Sequence, residues 1–210
     1  MERLHGYETH LDSIGGFNDI VDIHVEKVQI GADSMRICDQ GFDDFSSDGL
    51  QKIHMKLFGD SFAWAGQFRR IRLEHAESAL ANRSVWYSAP KHIAEDLNTA
   101  FSQLRDYPWR EISREQFVHQ LSIVFSSIWQ VHPFYCGNTA AVLVMLVSFV
   151  EHNGFHVDRE LLSASINQFR EGLVMASLDQ LSVYGHLERV LLDVVGSKAN
   201  TGRKDTFCIG

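Results

Sequence analysis

His132 and the six residues after it, Pro133, Phe134, Tyr135, Cys136, Gly137 and Asn138, form the part of the chain whose types and spacing suit a chemical step. An imidazole that is neutral near pH 7 can take the proton of a Ser, Thr or Tyr hydroxyl while that hydroxyl attacks a phosphorus. Pro133 fixes the turn, and Phe134 is expected to plug the core beneath the loop. Gly137 and Asn138 allow a tight turn into a helix. The free amides of a first helical turn then point at whatever anion sits in the loop. Each residue also has a structural reading: a histidine at a helix end, an asparagine as an ordinary helix cap. Cys136 lies near the same helix start, which lowers a thiol pKa, so a Cys–His nucleophile is a further option.

Two helices must hold this loop. Phe117, Leu121, Val124, Phe125 and Ile128 recur at helical spacing before it, which predicts a helix over residues 114–130 with Ser113 as its cap. Val142, Met145, Leu146 and Phe149 do the same after it, which predicts a helix over residues 138–152, stopped by Asn153-Gly154. Upstream, Leu50, Ile53 and Leu57 give a helix over 48–58, and Pro90 opens another with Ile93, Leu97, Phe101 and Leu104 on one face. Further helices are expected at 158–168, 170–176 and 185–195. Alternation over 68–73 and 84–88 predicts the two arms of a β-hairpin, and 21–25 a short strand. The pattern as a whole is a mostly α chain with one small hairpin. The expected organisation is an N-terminal extension, 1–46, packing on a core domain, 47–195, with a flexible tail at 196–210.

The loop resembles the signature of the Fic (filamentation induced by cAMP) family, His-Pro-Phe-x-(Asp/Glu)-Gly-Asn-(Gly/Thr)-Arg. A second stretch, Ile53-His54-Met55-Lys56-Leu57-Phe58 followed by Trp64-Ala65-Gly66-Gln67-Phe68-Arg69, is similar to that family's Ile-His-x-x-Leu-Phe…Trp-Ala-Gly-x-x-Arg segment. A weaker echo is Phe169-Arg170-Glu171-Gly172. The resemblance runs from about residue 47 to about residue 195. It implies a Fic-like helical bundle whose hairpin, the flap, holds a target segment beside the loop. It further implies transfer of AMP from ATP to a hydroxyl of a target protein. In that scheme His132 is the base, Gly137, Asn138 and Thr139 bind phosphate, and Arg72, Val85, Trp86 and Tyr87 of the flap dock the target.

The chain departs from that signature where charge matters. Cys136 stands at the position of the acid that holds Mg²⁺, and a neutral thiol is a poor ligand for a hard cation. Ala140 stands at the position of the arginine, so a positive fork on phosphate is missing. Leu143 replaces a second arginine that some subgroups with Thr at the Thr139 position also lack. Removing one preorganised charge contact in phosphoryl transfer costs on the order of 10² to 10⁵ in rate. Lys52, Lys56 and Arg69 are candidate substitutes. Three readings therefore stand: a transferase with an altered donor or no need of metal, a catalytically dead Fic fold that binds a protein partner, or thiol chemistry at Cys136. The family's inhibitory helix, (Ser/Thr)-x-x-x-Glu-(Gly/Asn), has no match. Its nearest approach begins with Asn167, so a regulator would be a separate antitoxin chain.

Composition sets the remaining bounds. At 210 residues and 45% hydrophobic, the chain suits one domain with a sizeable core rather than two. A net charge of −8 disfavours nucleic acid as a partner. The three cysteines, Cys38, Cys136 and Cys208, do not make a disulfide framework. The longest apolar run falls well short of the roughly 20 residues of a membrane span, and no signal peptide is apparent at the first residues. The expectation is a cytoplasmic protein without membrane partners. Injection into another cell would leave no readable signal. His152 and His156, four apart, are separated by the helix breaker Gly154 and are expected at the surface rather than on a metal.

Overall fold

The computed structural model of the chain describes residue 34 and residues 36–198. The expected strand at 21–25, most of the proposed extension and the chain after residue 198 lie outside the described residues. Helix α1, Ser47–Phe58, starts where the Ser46 hydroxyl accepts the Gly49 N–H at 3.1 Å, and buries Leu50, Ile53, His54 and Leu57. A short 3₁₀ turn, Pro90–His92, leads into α2, Ile93–Asp106, which buries Ile93, Leu97, Phe101 and Leu104. Helix α3, Arg114–Val131, opens with a reciprocal cap: the Ser113 hydroxyl accepts the Gln116 N–H, and the Gln116 side chain accepts the Ser113 N–H. Helix α4 is Asn138–His152.

Helix α4 is the centre of the molecule. Every residue from 144 to 150 is buried, so it is apolar all round, as a core helix is. Phe149 meets Phe45 and Trp109 edge-on, each with ring centres 5.0 Å apart, and lies near-parallel to Phe117 at 6.3 Å. Helix α3 contributes Phe117, Leu121, Phe125, Ile128 and Trp129 to the same core. Among the described residues no helix is long and apolar enough to cross a membrane.

Helices α5, Arg159–Ala164, α6, Ile166–Ala176, and α7, Gly185–Val194, complete the bundle. The break between α5 and α6 falls at Ser165, not after residue 168 as expected. The Ser165 N–H closes the turn onto the Leu161 and Leu162 carbonyls, and no glycine or proline marks the place. Helices α6 and α7 pack closely at Gly172, where a Cβ would lie 2.9 Å from the Leu187 Cα.

A small antiparallel sheet is formed by segments not expected as strands, β1, Phe155–Val157, and β2, Val195–Lys198, with Phe155 opposite Lys198 and Val157 opposite Val195. Residues 196–198 thus belong to a strand rather than to a tail. The arms at 68–73 and 84–88 do not form a ladder. They turn back through a single bridge, Glu77 to Arg83. Backbone groups of the outgoing arm are taken elsewhere, the Arg69 N–H by Pro133 O (2.8 Å) and the Arg70 N–H by the Tyr135 hydroxyl (3.1 Å), and the His75 N–H beyond that arm donates to the Ser84 side chain, Oγ, of the returning arm (3.1 Å).

Candidate active site

His132 ends α3 in the left-handed region, with φ 50° and ψ 59°, and its N–H bonds to Trp129 O. The pyrrolidine of Pro133 disfavours helix at the residue before it, which stops α3 there. The side chain is 6% exposed, and its Nδ1 is buried with no hydrogen-bond partner among the described residues. Tyr87 lies flat on the imidazole, ring centres 4.0 Å apart and planes 25° off parallel. Trp129 and His75 each approach it at 5.3 Å. Burial holds the His132 pKa well below the ordinary value, and the neighbouring His75 and Arg69 push it the same way. The ring is therefore neutral, with a lone pair able to take a proton.

The loop after it is braced from three sides. Asn138 Oδ1 accepts the Phe134 N–H and its Nδ2 donates to Phe134 O, both at 2.9 Å. The Asn138 side chain thus closes the loop and is not available to a ligand. The Phe134 ring is fully buried beneath the loop and stacks on His54 at 3.9 Å. His54 Nδ1 accepts the Gly66 N–H at 2.9 Å, which makes Nε2 the protonated nitrogen, and that N–H donates to Cys136 O at 3.1 Å. Burial pushes the His54 pKa down to about 4, so this pin is uncharged. Gly137, at φ 72°, has no room for a side chain: a Cβ would lie 2.4 Å from the Phe58 ring. Thr139 Oγ1 accepts the Trp129 indole N–H at 3.0 Å, which ties α4 to α3.

The flap residues divide. Arg72 and Trp86 are exposed, Trp86 by 83%. Val85 is buried in the core, which corrects the expectation that it docks a target: its position in the strip turns it inward. Tyr87 covers His132, and its hydroxyl donates to Glu77 Oε1 at 3.3 Å. Glu77 is buried and held by two bonds from Arg170 of α6, at 2.6 and 2.9 Å. Glu77, His75 and the Arg170 contact were not legible in the sequence. Arg69 was read as a substitute phosphate charge; its guanidinium is instead spent on backbone carbonyls, including that of His132 at 2.7 Å. Lys52 pairs with Asp44 at 2.6 Å.

Residues 44–150, just over half of the chain, match the Fic/DOC family. The chain belongs to that family. Among curated relatives, a probable protein adenylyltransferase of Sinorhizobium fredii, y4lH, is 32% identical over 112 residues, covering 52% of this chain and 55% of that protein. The chain spans about half or less of the length of the curated relatives it matches first. Among solved structures, the Fic domain of Bep8 from Bartonella sp. 1-1C superposes with a TM-score of 0.66 at 20% identity, covering 82% of this chain and 83% of that one. BepC of Bartonella tribocorum, solved with bound AMPPNP, gives 0.64 at 16%, covering 81% and 86%. These likenesses are of fold.

Within this Fic loop the metal position does not fit Mg²⁺. Cys136, partly exposed, offers a soft thiol where a hard cation takes oxygen. Among the described residues no three His, Cys, Asp or Glu side chains gather as a metal-holding group. His152 and His156 are both exposed.

Proposed function

We propose that the chain is a Fic-type protein adenylyltransferase that transfers AMP from ATP to a Ser, Thr or Tyr hydroxyl of a target protein, working weakly and without the usual metal ligand. The observation that carries this reading is the neutral, unpartnered Nδ1 of His132 at the edge of a braced loop that opens into α4. His132 takes the proton of the target hydroxyl as its oxygen attacks the α-phosphorus. The new O–P bond forms, the bond to pyrophosphate breaks, and the proton leaves His132 to solvent. The amides of Gly137, Asn138 and Thr139 hold phosphate oxygens, the role the positive end of a helix suits. Arg72 and Trp86 receive the target segment, and Tyr87 moves off His132 to admit it. The similarity to proteins named adenylyltransferases supports the reading.

A second reading is favoured by the Tyr87 cover together with Cys136 and Ala140: a catalytically inactive Fic fold that binds a protein, with an antitoxin-type chain or a target as partner. The test is ATP binding by calorimetry, with and without Mg²⁺, beside labelling of a lysate with ATP labelled at the α-phosphate, on wild type and His132→Ala. The transferase reading expects His132-dependent label and ATP binding little changed by Mg²⁺. No label with any donor, and no loss of partner binding in His132→Ala, would leave the binding module. In Cys136→Glu/Ala140→Arg, Mg²⁺-dependent ATP binding should appear; its absence would count against the loop's being a nucleotide site at all.

A further inference from the structure

Arg69 is among the most deeply buried charges of the described chain, 2% exposed, and its guanidinium makes four hydrogen bonds, each to a main-chain carbonyl. Nε donates to His132 O at 2.7 Å, and one terminal nitrogen to Ile71 O at 2.7 Å. The other donates to Ser88 O at 2.5 Å and Val131 O at 3.3 Å. Val131 and His132 are the end of α3. Ile71 lies in the outgoing arm of the flap and Ser88 in the returning arm. One rigid planar cation thus joins three segments that are distant in sequence. The arms need such a joint, because a single bridge at Glu77 and Arg83 is the regular pairing between them.

Two physical arguments make the arrangement more than packing. A cation at the C-terminus of a helix meets unsatisfied carbonyls and the negative end of the helix dipole, so the guanidinium holds His132 in a left-handed conformation that a non-glycine residue adopts at a cost. The five N–H groups of a guanidinium also point in a fixed fork. A lysine, a point charge on a flexible stem, cannot satisfy carbonyls in three directions at once.

We propose that Arg69 is a positioning residue that couples the flap to the base, so that both flap arms and the His132 loop move as one unit. The coupling is a statement about the folded chain; its value for catalysis rests on the transferase reading above. The rings that pack on His132 are consistent with a shared unit: Tyr87 and His75 come from the flap and Trp129 from α3, and Tyr87 is in turn held by Glu77 of the flap, which Arg170 of α6 grips.

The test is native-state hydrogen exchange of the wild-type chain across low urea concentrations. The amides of 70–72, 87–89, 131, 132, 134 and 135 are expected to merge onto one opening isotherm, distinct from those of α6 and α7. Separate isotherms for the flap and the loop would overturn the coupling. In Arg69→Lys, exchange in both segments should quicken together, on the order of tenfold or more, because charge-assisted bonds to at least two carbonyls are lost. Quickening in one segment alone would also overturn it. If Arg69→Lys fails to fold, the wild-type isotherms still decide. Where wild type shows AMP transfer, Arg69→Lys should lower kcat far more than it raises KM for ATP. Absence of transfer in wild type would sink the functional reading and leave the exchange result standing.

Discussion

A histidine that closes a helix in the left-handed region, under a tyrosine ring and with Nδ1 unpartnered among the described residues, is held as a neutral imidazole rather than as a cation. The cover is what sets this. Burial is the largest cause of the low His132 pKa, and Tyr87 supplies one whole face of it. In Tyr87→Ala the ring should gain water and its pKa rise toward the ordinary value near 6.5. Imidazole NMR titration checks this: a His132 resonance still silent above pH 5 in the variant would show that the tyrosine is not the cover. The site was legible in part. The places of His132, Gly137 and Asn138 follow from residue type and spacing, because a helix end before proline, a left-handed turn and a helix start are local requirements. The use of the Asn138 side chain was not legible, since it bonds within the loop to both main-chain groups of Phe134. Glu77 and Arg170 were illegible, since they meet across 93 positions with no motif to join them.

At the scale of elements, the flap is a strap clamped at both ends rather than a hairpin held by a ladder. Period-two alternation in 68–73 and 84–88 reports which side chains face inward. It cannot report that the Arg69 and Arg70 amides will bond to Pro133 and Tyr135 instead of to the returning arm. The helices were legible to within a residue or two wherever a cap marked them, as at Ser46 and Ser113. They were misread where no breaker did, at Ser165. The clamp at the flap tip is the Glu77–Arg170 pair. Arg170 is partly exposed but Glu77 is buried, so removing the arginine strands a carboxylate. Arg170→Ala should destabilise the chain by on the order of 2–3 kcal/mol and loosen Tyr87. Thermal unfolding and protease cutting near Trp86 read the two effects. Glu77→Gln/Arg170→Met, which removes both charges together, should recover much of the stability. If single and double variants are equally destabilised, the pair is not what holds the flap.

At the scale of the whole molecule, three histidines, His54, His75 and His132, have their pKa values lowered, each chiefly by burial. Above pH 6.5 they are neutral in the folded and the unfolded chain alike, and their full contribution to stability is present. Below it the unfolded chain takes up protons that the folded chain refuses, so stability falls as pH falls, until the folded pKa is reached. For His54, whose pKa drops from 6.5 to about 4, the loss across that window is about 3–4 kcal/mol at roughly 1.4 kcal/mol per unit. His75 and His132 add in the same direction. Against a typical domain stability of about 5–15 kcal/mol, His54 alone is a large share. Urea unfolding at pH 7, 6 and 5 should therefore show a steep decline. In His54→Phe the decline should flatten by about one proton, although the variant starts lower at pH 7 because the Gly66 and Cys136 bonds are gone. A wild type equally stable at pH 7 and 5 would mean that these histidines accept protons in the folded state. The neutral pin under the loop, His54, and the neutral imidazole of His132 beside it would then both be lost, because both rest on burial.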